Sequence, residues 1–491
     1  MNNLIILPIV IPLLCGIVML IFQKRIKLQR LAGILGLVLV SAVSVILIRT
    51  IHTEGILVLH AGGWKAPYGI SFAADMFSAL LLLTANIVAL CCYIFSFKTI
   101  GSERERHYYY PLFLFLIAGV NGSFLTGDIF NLFVCFEVML ISSYVLLALG
   151  GTRRQLRGSL KYILINLLSS FLFLIAVAYL YSALGTLNFA HLSVRVEEAG
   201  QDGLLTAISL LFLIVFSIKA ALLLFFWLPD SYGSAPSAIA ALFSALLTKV
   251  GLYAIFRLFT LIFYHEPQVT HLIIGIMAAL TMLLGAFGAV AYGDIRKILT
   301  YNVIIGAGFI AAGLAAFNHD ALLGALYYLI HDIIIKALLF MIGGVIILLT
   351  GTSRLKEMGG LISTHPYLGW SFFIGALSLS GIPPLSGFLG KVFITEGTFE
   401  AGHYWLGAIG LLTSLMILYS VMKIFMNSFW GGGSLGSDKE AKGAAVALPI
   451  GILTALTVLL GIGAEGIMAY AGQAADELLD PAQYIKAVLG K

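Results

Sequence analysis

Four lysines, Lys219, Lys249, Lys336 and Lys391, stand inside long apolar stretches of this 491-residue chain. A charged side chain near the middle of a membrane span costs about 2.5–3.5 kcal/mol on insertion scales. Glu137, more than two turns into the span 129–150 and within the apolar run Phe130 to Leu140, is a fifth such group. Together they oppose insertion by roughly 15 kcal/mol, which pairing, bound water or both must offset. A lysine held between burial, which disfavours its charge, and a nearby carboxylate, which favours it, can load and release a proton near neutral pH. Arginine effectively never loses its proton and could not do this. The chemistry these residue types support is a proton relay. Glu137 is expected to couple to a neighbouring lysine, with Lys219 as a relay station, Lys249 as the onward one and Lys391 as the last. Between them lie His331, Asp332 and Lys336. Histidine suits proton carriage near neutral pH, although five residues before a lysine is about 500° around a helix and an imperfect shared face. The plainer readings are a structural ion pair at Glu137 and a hydrogen-bonded core histidine at His331. Asp75 and Asp128 fall near span ends and are expected at the interface.

The elements that must position these groups are membrane helices. A hydrocarbon core of about 30 Å needs about 20 residues of helix. Apolar runs fall at 4–22, 31–50, 75–97, 109–126, 129–150, 162–184, 204–228, 237–263, 271–291, 298–317, 320–350, 368–398, 405–427 and 444–471. That is an all-α polytopic chain with fourteen spans. Lys219 falls mid-span, nine residues from the end of its run. Two spans are interrupted. The twelfth contains Gly381-Ile382-Pro383-Pro384, which lacks two amide donors, and the seventh ends in Trp227-Leu228-Pro229-Asp230, with Gly233 and Pro236 following. Broken helices at membrane depth are tolerated only where they are buried in protein or line a cavity. A pair of them in corresponding halves points to an ion path and an inverted repeat. Spans four to eight (109–263) and nine to thirteen (271–427) form the two units, after an N-terminal group (1–108) and before a C-terminal helix and tail (444–491), within one transmembrane domain.

Composition agrees. Sixty per cent of residues are apolar and 10% charged, against about 25% charged in soluble domains. Met1 to Phe22 is apolar with no basic start, so the first span is read as retained rather than as a cleaved signal. Eighteen basic residues fall on one side of these spans, in clusters such as Lys24 to Arg30, Arg153 to Lys161 and Arg296-Lys297. Six fall on the other: Arg49, Lys65, Arg195, Arg257, Lys486 and Lys491. The positive-inside rule then puts the basic loops in the cytoplasm and both termini outside. Cys15, Cys91, Cys92 and Cys135 lie in apolar runs without metal-ligand spacing and are expected to be buried. Tyr108, Tyr109 and Tyr110 are read as an interfacial belt. Residues 188–202 are expected along the outer surface, 431–443 as a Gly-rich connector, and 476–491 as an amphipathic tail resting on a partner subunit. No nucleotide loop, metal cluster or catalytic triad pattern stands out, so neither cofactor nor metal is expected.

Several motifs carry a family resemblance: Phe136-Glu137-Val138, Lys219 followed by Trp227-Leu228-Pro229-Asp230, and Leu247-Thr248-Lys249-Val250-Gly251. Gly293-Asp294-Ile295-Arg296-Lys297, Lys336-Ala337-Leu338-Leu339-Phe340 and Gly381-Ile382-Pro383-Pro384-Leu385-Ser386-Gly387-Phe388 complete the set. Together they resemble the antiporter-like subunits of respiratory complex I, membrane-bound hydrogenases and the multisubunit Mrp cation/proton antiporters. The opening Asn3-Leu4-Ile5-Ile6-Leu7-Pro8, Gly185-Thr186-Leu187-Asn188 and Ser231-Tyr232 are most similar to the Mrp D branch. The resemblance implies a secondary ion transporter subunit, not an enzyme, that exchanges cytoplasmic Na⁺ for external H⁺ together with companion subunits in the bilayer, and no nucleic-acid partner. It also implies that Glu137 and Lys219 are a coupled pair, Lys249 the connecting lysine and Lys391 the terminal one. Two departures stand out. Asp332 occupies the place where many relatives have histidine, and Leu224 to Phe226 replace a Pro-x-His. The alternatives are a proton-pumping subunit of complex I or of a related hydrogenase, and, from another class, a stand-alone solute transporter.

Overall fold

The computed structural model describes residues 2–430 and 446–490. The expected connector at 431–443 lies outside the described residues, as do Lys439, Lys442 and Lys491. The chain opens with helices α1 (Leu7–Ile21), α2 (Ile26–Glu54) and α3 (Met76–Thr99), then the single turn α4 (Ser102–Glu105). A first run follows: α5 (Tyr109–Leu125), α6 (Ile129–Ala148), α7 (Arg153–Leu184), α8 (Phe189–Ala199), α9 (Gly203–Ala220), α10 (Leu228–Tyr232) and α11 (Ser237–Leu261). The second run is α12 (Pro267–Ala291), α13 (Ile295–Ala316), α14 (His319–Thr350), the turn α15 (Leu361–Thr364), α16 (Pro366–Ser380), α17 (Ser386–Glu400) and α18 (Tyr404–Phe429). Helices α19 (Ala447–Ile462), α20 (Ala464–Leu479) and α21 (Pro481–Leu489) close the chain.

Among the described residues, eleven helices are long and apolar enough to cross a membrane, or twelve if the bent pair α19–α20 counts as one span. The shorter α5 and the broken pair α16–α17 occupy the two remaining expected positions. With no water to satisfy backbone groups inside a bilayer, helix is the structure such sequences can adopt there. Enclosure varies widely among the helices. The apolar window of α11 is entirely buried and that of α13 is 94% buried, whereas that of α1 is only 28% buried. In each run the interrupted helix is the fourth of five crossings.

The two breaks have different local causes. Gly381 terminates α16 in the left-handed region (φ 85°), which glycine adopts freely, and the two prolines follow. The first break falls earlier than the sequence predicts. Helix α9 ends at Ala220, not near Pro229, and Ala221 and Leu223 both take positive φ (58° and 59°). The Thr281 hydroxyl accepts the freed Leu223 amide at 2.7 Å, and the Trp227 indole donates to the Ile218 carbonyl at 3.1 Å. Partners outside the helix thus hold non-glycine residues in a conformation they rarely adopt.

Other expectations need correction. Tyr109 and Tyr110 are fully buried, and only Tyr108 is exposed as a belt residue would be. The Tyr110 hydroxyl donates to Glu105, which also pairs with Arg30 at 2.5 Å. Of the cysteines, Cys91 and Cys92 are buried, while Cys15 and Cys135 are half-buried. The segment 188–202 is largely helix α8, capped by Asn188. A short antiparallel hairpin, β1 (Leu57–His60) with β2 (Ser71–Ala74), adds to the helical fold. The C-terminal part bends by 78° between α19 and α20. It packs back on its own chain, where the Glu477 carboxylate accepts the Met76 amide at 2.8 Å. Part of the expected tail therefore packs on its own chain.

Candidate functional site

The first group joins three helices. Glu137 on α6 accepts a hydrogen bond from the Ser170 hydroxyl of α7 at 2.5 Å, and Lys219 on α9 donates to the same hydroxyl at 3.3 Å. One serine can do both, because its proton serves the carboxylate while a lone pair receives the ammonium. Carboxylate and lysine are thus linked through Ser170 rather than directly. The break places Lys219 one residue before the end of α9, where unpaired carbonyls favour a cation. Its ammonium also lies 5.1 Å from the centre of the Phe136 ring. Lys219 is 4% exposed and Glu137 is half-buried.

The second group is the most deeply enclosed. Asp332 and Lys336, one turn apart on α14, pair at 3.1 Å, and Lys249 on α11 reaches the other Asp332 oxygen at 2.7 Å. Lys249 also donates to the Ser244 carbonyl at 2.8 Å. Two ammonium groups share one carboxylate, all at most 1% exposed. Gly306 on α13 makes the space, since a Cβ there would lie 2.7 Å from an Asp332 oxygen. Helices α9 and α11 also touch closely: a Cβ at Gly251 would meet the Ala220 nitrogen at 2.6 Å. Lys219 adjoins Ala220, and Lys249 lies two residues from Gly251, so the first and second groups occupy neighbouring turns of packed helices.

His331 does not face Lys336. Its Nδ1 lies 2.8 Å from the Ser386 hydroxyl, which is 3.0 Å from that of Ser378, at the break between α16 and α17. Its Nε2 is buried without a partner among the described residues. Lys391, on α17, donates to the Ser380 carbonyl at 3.1 Å and the Ser414 hydroxyl at 3.0 Å, and lies 4.8 Å from the Phe309 ring centre. Ser380 is the last residue of α16, so its carbonyl has no partner in its own helix. A cavity of about 560 Å³, with Glu396 and Glu400 in its wall, opens beside Lys391.

Two placements differ from the sequence expectation. Arg257, counted among the six cations of the side opposite the basic loops, is buried in α11 and pairs with Asp75 at 2.7 Å. Asp75, taken as interfacial, is likewise buried and caps α3. Asp128 caps α6 by accepting the Asn131 amide at 2.8 Å. Sequence reasoning missed Ser170 and Ser386. Their signal was faint: Ser169-Ser170 is a hydroxyl pair in an apolar helix, and Ser386 follows the Pro-Pro break.

Residues 126–417 match the family described as NADH:quinone oxidoreductase/Mrp antiporter, TM. The chain belongs to that family. The match takes in all seven candidate residues: Glu137, Lys219, Lys249, His331, Asp332, Lys336 and Lys391. Among the relatives of this Mrp antiporter family member, the D subunits of the Na(+)/H(+) antiporters of Alkalihalophilus pseudofirmus and Bacillus subtilis are each 50% identical over the full length of both chains. Among solved structures, a chain of the Mrp complex from Dietzia sp. superposes with a TM-score of 0.93 at 31% identity over all of both chains. A chain of respiratory complex I from Thermus thermophilus superposes at 0.79 and 25% identity, covering 97% of this chain and all of that one.

Proposed function

We propose that the chain is the proton-translocating subunit of a multisubunit Mrp-type antiporter in the cell membrane, exchanging cytoplasmic Na⁺ for external H⁺. The observation that carries this reading is the series of buried titratable groups across both helix runs, joined by hydroxyls or shared carboxylates. It is supported by the 50% identity to the D subunits of two Na(+)/H(+) antiporters. A proton on Lys219 communicates through Ser170 with Glu137, and across the α9–α11 contact with Lys249. Asp332 then ties Lys249 to Lys336, and His331 with Ser386 and Ser378 leads towards Lys391 and its cavity. Each lysine carries charge that its partners hold only partly, so proton movement at one station alters the balance at the next.

The same reading treats the chain as one transmembrane domain built around two inverted five-helix units, 109–263 and 271–427, flanked by 1–108 and 444–491. It places the basic loops in the cytoplasm and both termini outside. Burial of Arg257 sharpens that bias by removing one of the six cations from the opposite side.

The test is Na⁺-dependent dissipation of ΔpH in everted vesicles from antiporter-deficient cells expressing the whole complex. Lys219→Ala is expected to abolish exchange with normal assembly. Retained exchange would reduce Lys219 to a structural partner. Absence of Na⁺-dependent exchange in the native complex would favour a proton-pumping role of the complex I kind.

A further inference from the structure

At the end of the molecule that bears the basic loops, a crevice of about 480 Å³ is lined by Arg104, Arg154 and Arg296. No acidic side chain among the described residues lines it. Each arginine has binding capacity to spare. Arg154 is exposed and makes no hydrogen bond or ion pair among the described residues. Arg104 donates through one terminal nitrogen to the Ile100 carbonyl at 3.2 Å, while its Nε is buried without a partner. Arg296 donates to the Gly233 carbonyl at 3.1 Å, and Arg154 is close enough to repel it. The acid next in sequence to Arg296, Asp294, is engaged elsewhere. It accepts the Arg296 and Lys297 amides and the Ser353 hydroxyl.

The backbone adds to this positive field. The crevice wall includes Thr152 and Gln155 at the N-terminus of α7 and Pro236 and Ser237 at that of α11. The N-terminal end of a long helix carries partial positive charge, although at α7 the Gln155 amide is taken by the Thr152 hydroxyl and the Thr152 amide by the Gln155 side chain. On α11 the Pro236 cap supplies no side-chain acceptor for the first amides. Three guanidinium groups and two helix N-termini converge on a crevice whose wall holds no carboxylate among the described residues. Planar guanidinium forks and free amides are the groups that bind phosphate oxygens. The wall also holds hydroxyls (Thr99, Ser234) and an apolar stretch: Ile347 and the exposed Leu348, from the last turn of α14, stand beside the arginines.

We propose that this crevice binds the phosphate of an anionic phospholipid headgroup, with Leu348 and Ile347 against the start of an acyl chain. Arg296 and Ser237 also line the narrow seam between α11 and α14 that runs down to Phe340, one turn from Lys336. The bound anion therefore sits at the end of the two helices that carry the Lys249–Asp332–Lys336 group. Its binding is independent of whether those residues relay protons.

The test titrates the full chain, purified with its co-expressed subunits, with short-chain phosphatidylglycerol and separately with inorganic phosphate. Native protein is compared with Arg154→Gln, Arg296→Gln and Arg157→Gln. Arg154 is exposed, so its replacement leaves the fold intact. Arg157, exposed on the same helix, does not line the crevice. Arg154→Gln is expected to weaken phosphatidylglycerol binding about tenfold, the size expected for one charge-assisted contact, and Arg157→Gln to leave it unchanged. Arginine-dependent binding of inorganic phosphate but not of the lipid would overturn the lipid as source while keeping the phosphate site. Equal weakening by Arg157→Gln, or lipid binding indifferent to Arg154, would overturn the site.

Discussion

Replacing Asp332 by asparagine tests the central group most directly. Asp332 faces two buried ammonium groups, Lys249 at 2.7 Å and Lys336 at 3.1 Å. At an effective dielectric constant of about 20, those separations correspond to attractions of about 6 and about 5 kcal/mol. Desolvation of the three ions costs several kcal/mol each and cancels much of this. The visible effect of Asp332→Asn is therefore the penalty for stranding charge, about 3–5 kcal/mol for a buried partner left alone. Two lysines are stranded here, and asparagine returns only a hydrogen bond worth about 1.5–3 kcal/mol to one of them. A net loss of about 6 kcal/mol is expected, measured by denaturation of the detergent-solubilised complex. Na⁺-dependent ΔpH dissipation should be lost in the same variant at temperatures where it stays assembled. Adding Lys249→Met removes one stranded ammonium and should recover about half of the stability without restoring exchange. An Asp332→Asn complex within about 1 kcal/mol of the native stability, exchanging at the native rate, would refute the reasoning, because that difference is too small for a stranded buried charge.

Three further outcomes follow from the geometry. Ser170→Ala removes the hydroxyl between Glu137 and Lys219, and a hydrogen bond to a charged group is worth about 1.5–3 kcal/mol. Exchange in vesicles should fall about tenfold with normal assembly, while Ser170→Thr keeps most of it; an alanine variant at the native rate would remove Ser170 from the path. Lys391→Arg preserves a cation near the Ser380 carbonyl but cannot give up its proton, so the complex should assemble and fail to exchange. Robust exchange in that variant would make Lys391 a fixed counter-charge. Arg257→Gln strands the Asp75 carboxylate beneath the C-terminal helices, and should cost about 3–5 kcal/mol and expose residues 464–489 to protease; unchanged resistance would mean that the pair does not hold that segment.

Much of the architecture was legible because a bilayer leaves few choices. Twenty apolar residues in a row, with no water available to the backbone, must become a helix that crosses. The all-helical, many-span architecture, the two interruptions and the burial of all four lysines follow from that constraint. Its limits show at Ala220, where α9 ends well before the first proline. What stops it is an amide taken by Thr281 from another helix, a contact that no local pattern announces. Arg257 misled for a similar reason: near the end of an apolar run it counts with the cations of the outer side, and only the Asp75 partner, 182 positions away, draws it inside.

The candidate site divides along the same line. Residue type and depth in an apolar run determined that Glu137, Lys219, Lys249, His331, Asp332, Lys336 and Lys391 lie within the membrane part, because each is costly there without a partner. Helical periodicity also permitted the Asp332–Lys336 pairing, one turn apart. Which groups meet across helices was decided by tertiary structure alone. Ser170 between Glu137 and Lys219, Lys249 on Asp332, and His331 turned to Ser386 all depend on how helices rotate and approach one another. Small residues such as Gly251 and Gly306 set that approach. A sequence records the cost of burying a charge, but the partner that offsets it is chosen by packing between segments far apart in the chain.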